Sequence, residues 1–160
     1  MEYTMTVLAK AKQDLINITD LKAFLRIPHD LDDQLLDTFC GAAIDYAENL
    51  LGLFFVERTI CLRYPAPADT LHLPPGHRYQ LANFVAPEDI TVSLIGTTLL
   101  LSHTPPSALV VECKAQASMD DMLRCLIMTH AGLMYDGRDC EMGASKLYAD
   151  YLACKKSWRI

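Results

Sequence analysis

Between Asp33 and Leu51 the residues Leu35, Leu36, Phe39, Cys40, Ala43, Tyr46, Ala47, Leu50 and Leu51 recur at steps of three and four. That spacing follows the 3.6-residue period of an α-helix and gathers them on one apolar stripe. Asp33, Asp37, Asp45 and Glu48 fall on the opposite side. A row of carboxylates can serve metal binding or acid–base work, but no histidine stands at ligand spacing beside it, and a solvated face accounts for it. Gly41-Ala42-Ala43 is small enough for another helix to approach closely there. Asp32 or Asp33 is expected to cap the start, where negative charge suits the helix dipole. Gly52 is a natural stop.

A shorter helix precedes it. Thr19 has the right chemistry for an N-cap, and Leu21, Phe24 and Leu25 then share one face. Pro28 ends this helix, because proline disfavours helical geometry at the residue before it and has no N–H. His29-Asp30-Leu31-Asp32-Asp33 forms the turn between the two helices. Residues 1–17 show weak periodicity and are expected to form an N-terminal arm.

The middle reads as β. Thr59–Tyr64 is rich in strand formers and stops at Pro65. Pro65-Ala66-Pro67-Ala68-Asp69 is loop, Thr70–Leu73 alternates, and Pro74-Pro75-Gly76 turns the chain. Ile90–Ile95 and Thr98–Leu101 flank Gly96-Thr97, a two-residue hairpin connection that suits a type II′ turn. Ala108–Lys114 is the last strand. No strand, glycine-rich loop and helix follow one another, so a nucleotide-binding reading has no support.

Two more helices close the chain. Ser118-Met119-Asp120-Asp121 has the order of a capping box with aspartate in place of glutamate. Met122, Leu123, Leu126, Ile127, Leu133 and Met134 follow, with Cys125, Met128 and Ala131 on the other sides. A helix apolar nearly all round is central or packs against a neighbouring subunit. His130 lies on its main stripe, where a hydrogen-bonded core histidine is expected rather than a catalyst. The last helix, about Ala144 to Ser157, carries Leu147, Tyr148, Tyr151, Leu152 and Trp158 on one stripe, with Lys155, Lys156 and Arg159 at its end. Two readings fit it equally: an amphipathic helix folded on the core, or a docking helix, since Tyr, Trp and Arg are enriched at binding hot spots.

Composition narrows the function. With 160 residues, 51% hydrophobic and 21% charged, the chain has globular composition and enough length for a real core. The net charge of −6 argues against a protein whose main task is to grip phosphates, though not against a wall past which DNA slides. Met1 to Lys12 lacks the basic start and apolar run of a signal peptide, and no stretch is long enough for a membrane span. The six cysteines, Cys40, Cys61, Cys113, Cys125, Cys140 and Cys154, are scattered, and reduced, largely buried thiols are expected. Neither C-x-x-C nor H-x-x-x-H occurs, so no zinc site is expected. His72 and His77 flank Leu-Pro-Pro-Gly and read as polar loop.

The stretch Ile18-Thr19-Asp20-Leu21-Lys22-Ala23-Phe24-Leu25-Arg26-Ile27-Pro28-His29-Asp30, with Asp32-Asp33-Gln34-Leu35-Leu36 and the long helix after it, resembles the opening of the tailed-phage head–tail connector family. Thr19, Ala23, Leu25, Arg26, His29, Asp30, Asp32 and Asp33 fit the family pattern. Far downstream, Leu133-Met134-Tyr135-Asp136-Gly137-Arg138 resembles the family's closing helix. That helix commonly ends in a Tyr-Glu-Asn-Arg-like segment, so the outer residues agree and the middle pair departs. Tyr151-Leu152-Ala153-Cys154-Lys155-Lys156-Ser157-Trp158 is loosely similar to the last helix of longer members.

The resemblance implies an α+β fold, mainly α: a helical bundle with a β-rich insert between the second and third main helices. Its expected organisation is an arm over 1–17 and a single domain over 18–160, with helices over 18–52, the insert over 58–115 and helices over 118–158. It implies a structural adaptor with no catalytic, metal or cofactor site. Such subunits form a homo-oligomeric ring, a dodecamer, below the portal protein, in the virion neck after assembly in the host cytoplasm. They meet a downstream tail or stopper protein, and DNA passes without sequence-specific binding and without a membrane. Tyr148, Tyr151, Lys155, Lys156, Trp158 and Arg159 are the expected portal or partner contact. Two other readings stand beside this one. One is a small enzyme with a dispersed active site, using His29 or His130 with nearby acids. The other is a helix-turn-helix DNA-binding module built from Leu21–Leu51, whose acidic second helix speaks against groove insertion.

Overall fold

The computed structural model describes residues 3–11, 15–65, 68–85, 90–105, 107–137 and 140–157. They divide into two compact units, Met1–Gln13 with Leu53–Ser118 and Asp14–Gly52 with Met119–Ile160.

The first unit is all β. Its strands are β1 (Thr4–Lys10), β2 (Arg58–Tyr64), β3 (Thr70–His72), β4 (Arg78–Val85), β5 (Val92–Ile95), β6 (Thr98–Leu101) and β7 (Leu109–Gln116). They form a four-stranded sheet in the order β1-β2-β7-β4 and a three-stranded sheet in the order β3-β6-β5. Every pairing is antiparallel. Alternation decides which residues go inside: Leu109, Val111, Cys113 and Ala115 of β7 are buried and the residues between them are not. With Ile60, Leu62 and Tyr64 of β2 and Leu71, Leu99 and Leu101 of the other sheet they make one apolar core. Burial raises the Tyr64 hydroxyl to about 12 and the Cys113 thiol to about 11. The expected hairpin is present, with Gly96 at φ 60° and no positive φ at Thr97, as a type II′ turn requires.

The second unit is helical, with α1 (Ile18–Leu25), α2 (Asp33–Leu51), α3 (Asp121–Tyr135) and α4 (Cys140–Ser157). The buried face of α2 is Leu36, Cys40, Ala43, Ile44, Ala47 and Glu48. It is therefore rotated from the expected stripe: Leu35 and Leu50 are exposed, while Glu48, placed on the solvated side from sequence, is 3% exposed. Gly41 has open space around it, and the close helix approach lies instead at Gly132 of α3, where a Cβ would stand 2.5 Å from Leu25 Cδ2. On α3, Met122 is exposed, so one side of this helix faces solvent.

The expected fold class is not the observed one. The β region is not an insert in a bundle but two antiparallel sheets around their own core. Its larger sheet takes β1 from ahead of the first helix, from the segment read as an arm. Two strands had no sequence expectation, β1 and β4, and they are the two edges of that sheet. Edge strands need not show clean alternation, because much of their surface stays in water.

The caps are displaced as well. Asn17, not Thr19, caps α1, its Oδ1 accepting from Thr19 N–H at 2.8 Å. Asp120, not Ser118, caps α3, accepting from Leu123 N–H at 2.8 Å. Each stretch contains two or three residues with cap chemistry, so composition alone leaves the position open.

Candidate functional site

The turn that joins α1 to α2 is held by its own side chains. Helix α1 ends at Arg26, which takes the left-handed conformation at φ 59°. Arg26 N–H donates to Ala23 O at 3.3 Å and Ile27 N–H to Lys22 O at 3.0 Å, the two bonds of a Schellman cap. The Lys22 ammonium donates to Asp33 at 2.7 Å and also to Asp30. These hydrogen bonds hold the Lys22 ammonium above its ordinary pKa and, in return, Asp30 below the usual carboxylate range. Ile18, Thr19, Ala23, Ile27 and Pro28 join these three around an open hollow of about 370 Å³.

Asp32 occupies the N-cap position of α2, but its side chain makes no cap bond. Its carboxylate accepts from the Tyr135 hydroxyl at 2.6 Å instead. That bond raises the Tyr135 pKa, with desolvation as a smaller cause. His29 Nδ1 lies 4.0 Å from the same carboxylate. Near the other end of α3, Arg124 donates to Asp20 at 2.9 Å. The acidic turn and the end of α3, the two stretches that carry the resemblance, are thus joined by a hydrogen bond. Lys22 and Tyr135 are engaged with carboxylates of the turn, and these bonds fix its shape. Arg138 lies outside the described residues.

The residues expected to meet a partner are divided by the structure. Tyr148 and Tyr151 are 0% and 7% exposed. The Tyr148 ring packs 5.6 Å from Tyr46 and 5.9 Å from His130, and Tyr46 meets His130 edge-on at 4.9 Å. Burial pushes the Tyr148 hydroxyl up and the His130 imidazole down. Among the described residues neither His130 Nδ1 nor Tyr148 OH has a hydrogen-bond partner, so the expected hydrogen-bonded core histidine has only ring contacts. Tyr151 donates to Asp120 at 3.2 Å, so the residue that caps α3 also anchors α4. Lys155 and Lys156 lie in the last turn of α4, and Trp158 and Arg159 lie outside the described residues.

Two features were not read from sequence. His77, taken for polar loop, is buried; its Nε2 accepts from Phe54 N–H at 2.9 Å, and Tyr79 OH stands 3.3 Å from Nδ1. The phenol in turn donates to Pro74 O at 2.7 Å. The signal available was His77-x-Tyr79 immediately after a Pro-Pro-Gly turn. The other feature is apolar residues left in water: Leu31 is 90% exposed, Ile95 64% and Leu8 52%. Leu31 stood out in principle, as one leucine among four acidic and polar turn residues. Among the described residues no group of three or more His, Cys, Asp or Glu could hold a metal ion. No described helix is long and apolar enough to cross a membrane.

A comparison with protein families matches residues 15–86 to phage gp6-like head-tail connector proteins. The match begins just before α1, takes in the clasped acidic turn and all of α2, and continues through β2, β3 and β4. The closing segment around Tyr135 and helix α4 lie beyond it. No curated protein and no solved structure matches the chain. Residues 15–86, from the capped first helix through the fourth strand, are thus similar to the phage gp6-like head-tail connector family.

Proposed function

We propose that this protein is a structural, non-enzymatic adaptor of a tailed-phage or phage-like particle. Its subunits form a ring, a dodecamer, below the portal protein, extend the DNA channel and offer a surface to a downstream tail or stopper protein. The place of action is the virion neck, reached after assembly in the host cytoplasm. The observation that carries this reading is the family match over residues 15–86. The composition is compatible with it, because a net charge of −6 suits a wall that does not hold passing DNA. Apolar side chains scattered over both units, among them Leu31, Ile95 and Leu8, supply many modest contacts. A closed ring multiplies such contacts through avidity.

The C-terminal segment is the proposed portal contact. Tyr148 and Tyr151 hold α4 from inside the helical unit, and Lys155, Lys156, Trp158 and Arg159 follow them in the sequence. Native mass spectrometry of the purified protein, alone and with the portal protein of the same particle, tests the proposal. A ring with the portal and weaker association alone is the expected result. A chain that stays monomeric in both samples contradicts it.

A further inference from the structure

The edge of the larger sheet is built in a way that isolated sheets avoid. All seven residues of β1, Thr4 to Lys10, are exposed. Met5 pairs with Leu62 and Val7 with Ile60, so both stand on the core side of the sheet. Yet Met5 and Val7 are each 41% exposed, while Ile60 and Leu62 are fully buried. The apolar face therefore runs past the point where the second sheet covers it. Natural sheets protect an edge with charges, proline or a very short strand. From Thr4 to Ala9 β1 has no charged residue, no proline and no glycine. Its one irregularity is a bulge between Val7 and Ala9.

The opposite edge of the same sheet is β4, which among the described residues pairs with β7 alone. Its Tyr79 and Leu81 pack against the apolar core, and Arg78 and Gln80 alternate with them on the outer face. Strands alternate in direction across this four-stranded sheet, so β1 and β4 run opposite ways. A copy placed beside the first by rotation about an axis along the strands brings its β4 antiparallel to β1. One register matches both faces: Met5 opposite Leu81, Val7 opposite Tyr79, and Thr6 opposite Gln80 on the outer side. It also keeps Lys10 away from Arg78.

We propose that β1 of one subunit adds to the outer edge of β4 in the next copy of this chain, so that the larger sheet continues from subunit to subunit. The contact is heterologous, using two different surfaces, and so propagates into a ring where a two-fold contact would stop at a dimer. The proposal rests on the ring reading above and adds the surface that makes it.

Cross-linking between copies tests it. In protein with Cys61, which stands opposite Thr6 within the same sheet, and the exposed Cys125 and Cys154 all changed to Ser, copies carrying Thr6→Cys are mixed with copies carrying Gln80→Cys and oxidised gently. Directly opposed residues of an antiparallel pair have Cα atoms about 4.5–5.5 Å apart, within disulfide reach. A disulfide-linked dimer is expected from the mixture and a ladder of higher species from the double variant. Dimers from Thr6→Cys alone would indicate like-with-like pairing, and no cross-link in assembled protein would indicate another surface; either overturns the proposal. In the same way Met5→Lys with Val7→Lys is expected to raise the concentration needed for self-association at least about tenfold, with an unchanged circular dichroism spectrum. If that variant still assembles normally with the portal, the strand contact is wrong and the connector reading stands. If the unaltered protein never assembles, both fall.

Discussion

The two units of this chain are stabilised by different chemistry. The β unit has a dry interior: Ile60, Leu62, Leu71, Leu99, Leu109 and Val111 are fully buried, and the tyrosine and thiol among them are held neutral by burial. The helical unit brings distant segments together with polar bonds, Asp20 to Arg124, Asp32 to Tyr135 and Asp120 to Tyr151, and keeps His130 inside with its pKa lowered by burial. A dry core resists everything except a change of volume. A unit fastened by a few polar bonds is sensitive to single-atom changes and to pH. The family match takes in the clasped turn of the helical unit and continues into β2, β3 and β4 of the other, so it spans both kinds of chemistry.

Truncation of the β core should have the largest effect. Leu62→Ala or Leu99→Ala removes a fully buried side chain between two sheets. A loss of about 2–5 kcal/mol is expected in denaturant unfolding. Hydrogen exchange read residue by residue should place that loss in β2, β6 and β7. Equal loss of protection in α2 and α3 would break the contrast between the units.

The polar fasteners come next. Asp120→Ala removes the N-cap of α3 and the acceptor of Tyr151 together. About 2 kcal/mol is expected, against about 1 kcal/mol for Tyr151→Phe, which removes one bond. Tyr135→Phe should likewise cost about 1 kcal/mol, because Asp32 is partly exposed and can turn to water. If Asp120→Ala is no worse than Tyr151→Phe, the aspartate does not hold both helices.

Titration should separate the units further. Burial lowers the folded-state pKa of His130 from its ordinary 6.5. Above that value both folded and unfolded chains carry a neutral ring, so His130 adds no pH dependence. As pH falls below it, the unfolded chain takes a proton that the folded core refuses, and stability declines by at most about 1.4 kcal/mol per pH unit. His130→Phe should flatten the stability curve below pH about 6.5. An unchanged slope would mean that the imidazole is protonated within the fold.

Much of this organisation was legible in sequence where a residue pattern has one physical meaning. The 3.6-residue spacing of α2, the Gly96-Thr97 hairpin and the last strand each correspond to one backbone geometry, and all three elements are present, with the buried face of α2 rotated from the expected stripe. The family resemblance carried by Thr19 to Asp33 falls within the matched residues 15–86. The rest failed for identifiable reasons. β1 and β4 are edges, whose partly wet surfaces blur alternation. Asn17 and Asp120 were passed over for neighbours with the same cap chemistry. The bond from Tyr135 to Asp32 joins residues 103 positions apart, and local spacing does not encode it. For Tyr148 and Tyr151 the sequence leaves a docking stripe and a core stripe equal, and both side chains are buried within the helical unit.

The smallest expected effect belongs to the start of the clasped turn. Arg26 holds a left-handed conformation that costs a side chain other than glycine about 1 kcal/mol or more. Arg26→Gly relieves that strain and loosens the unfolded chain, so a net gain of only about 0.5 kcal/mol is expected by thermal melting. A clear loss would show that the guanidinium makes a contact the fold depends on.

Single-particle imaging of the portal protein purified together with this chain tests the central claim most directly. The structural adaptor reading predicts a closed ring of this chain below the portal, with the β units of neighbouring copies joined edge to edge and the C-terminal segment against the portal. A portal complex that forms without this chain, beside a chain that remains monomeric at every concentration, would contradict it.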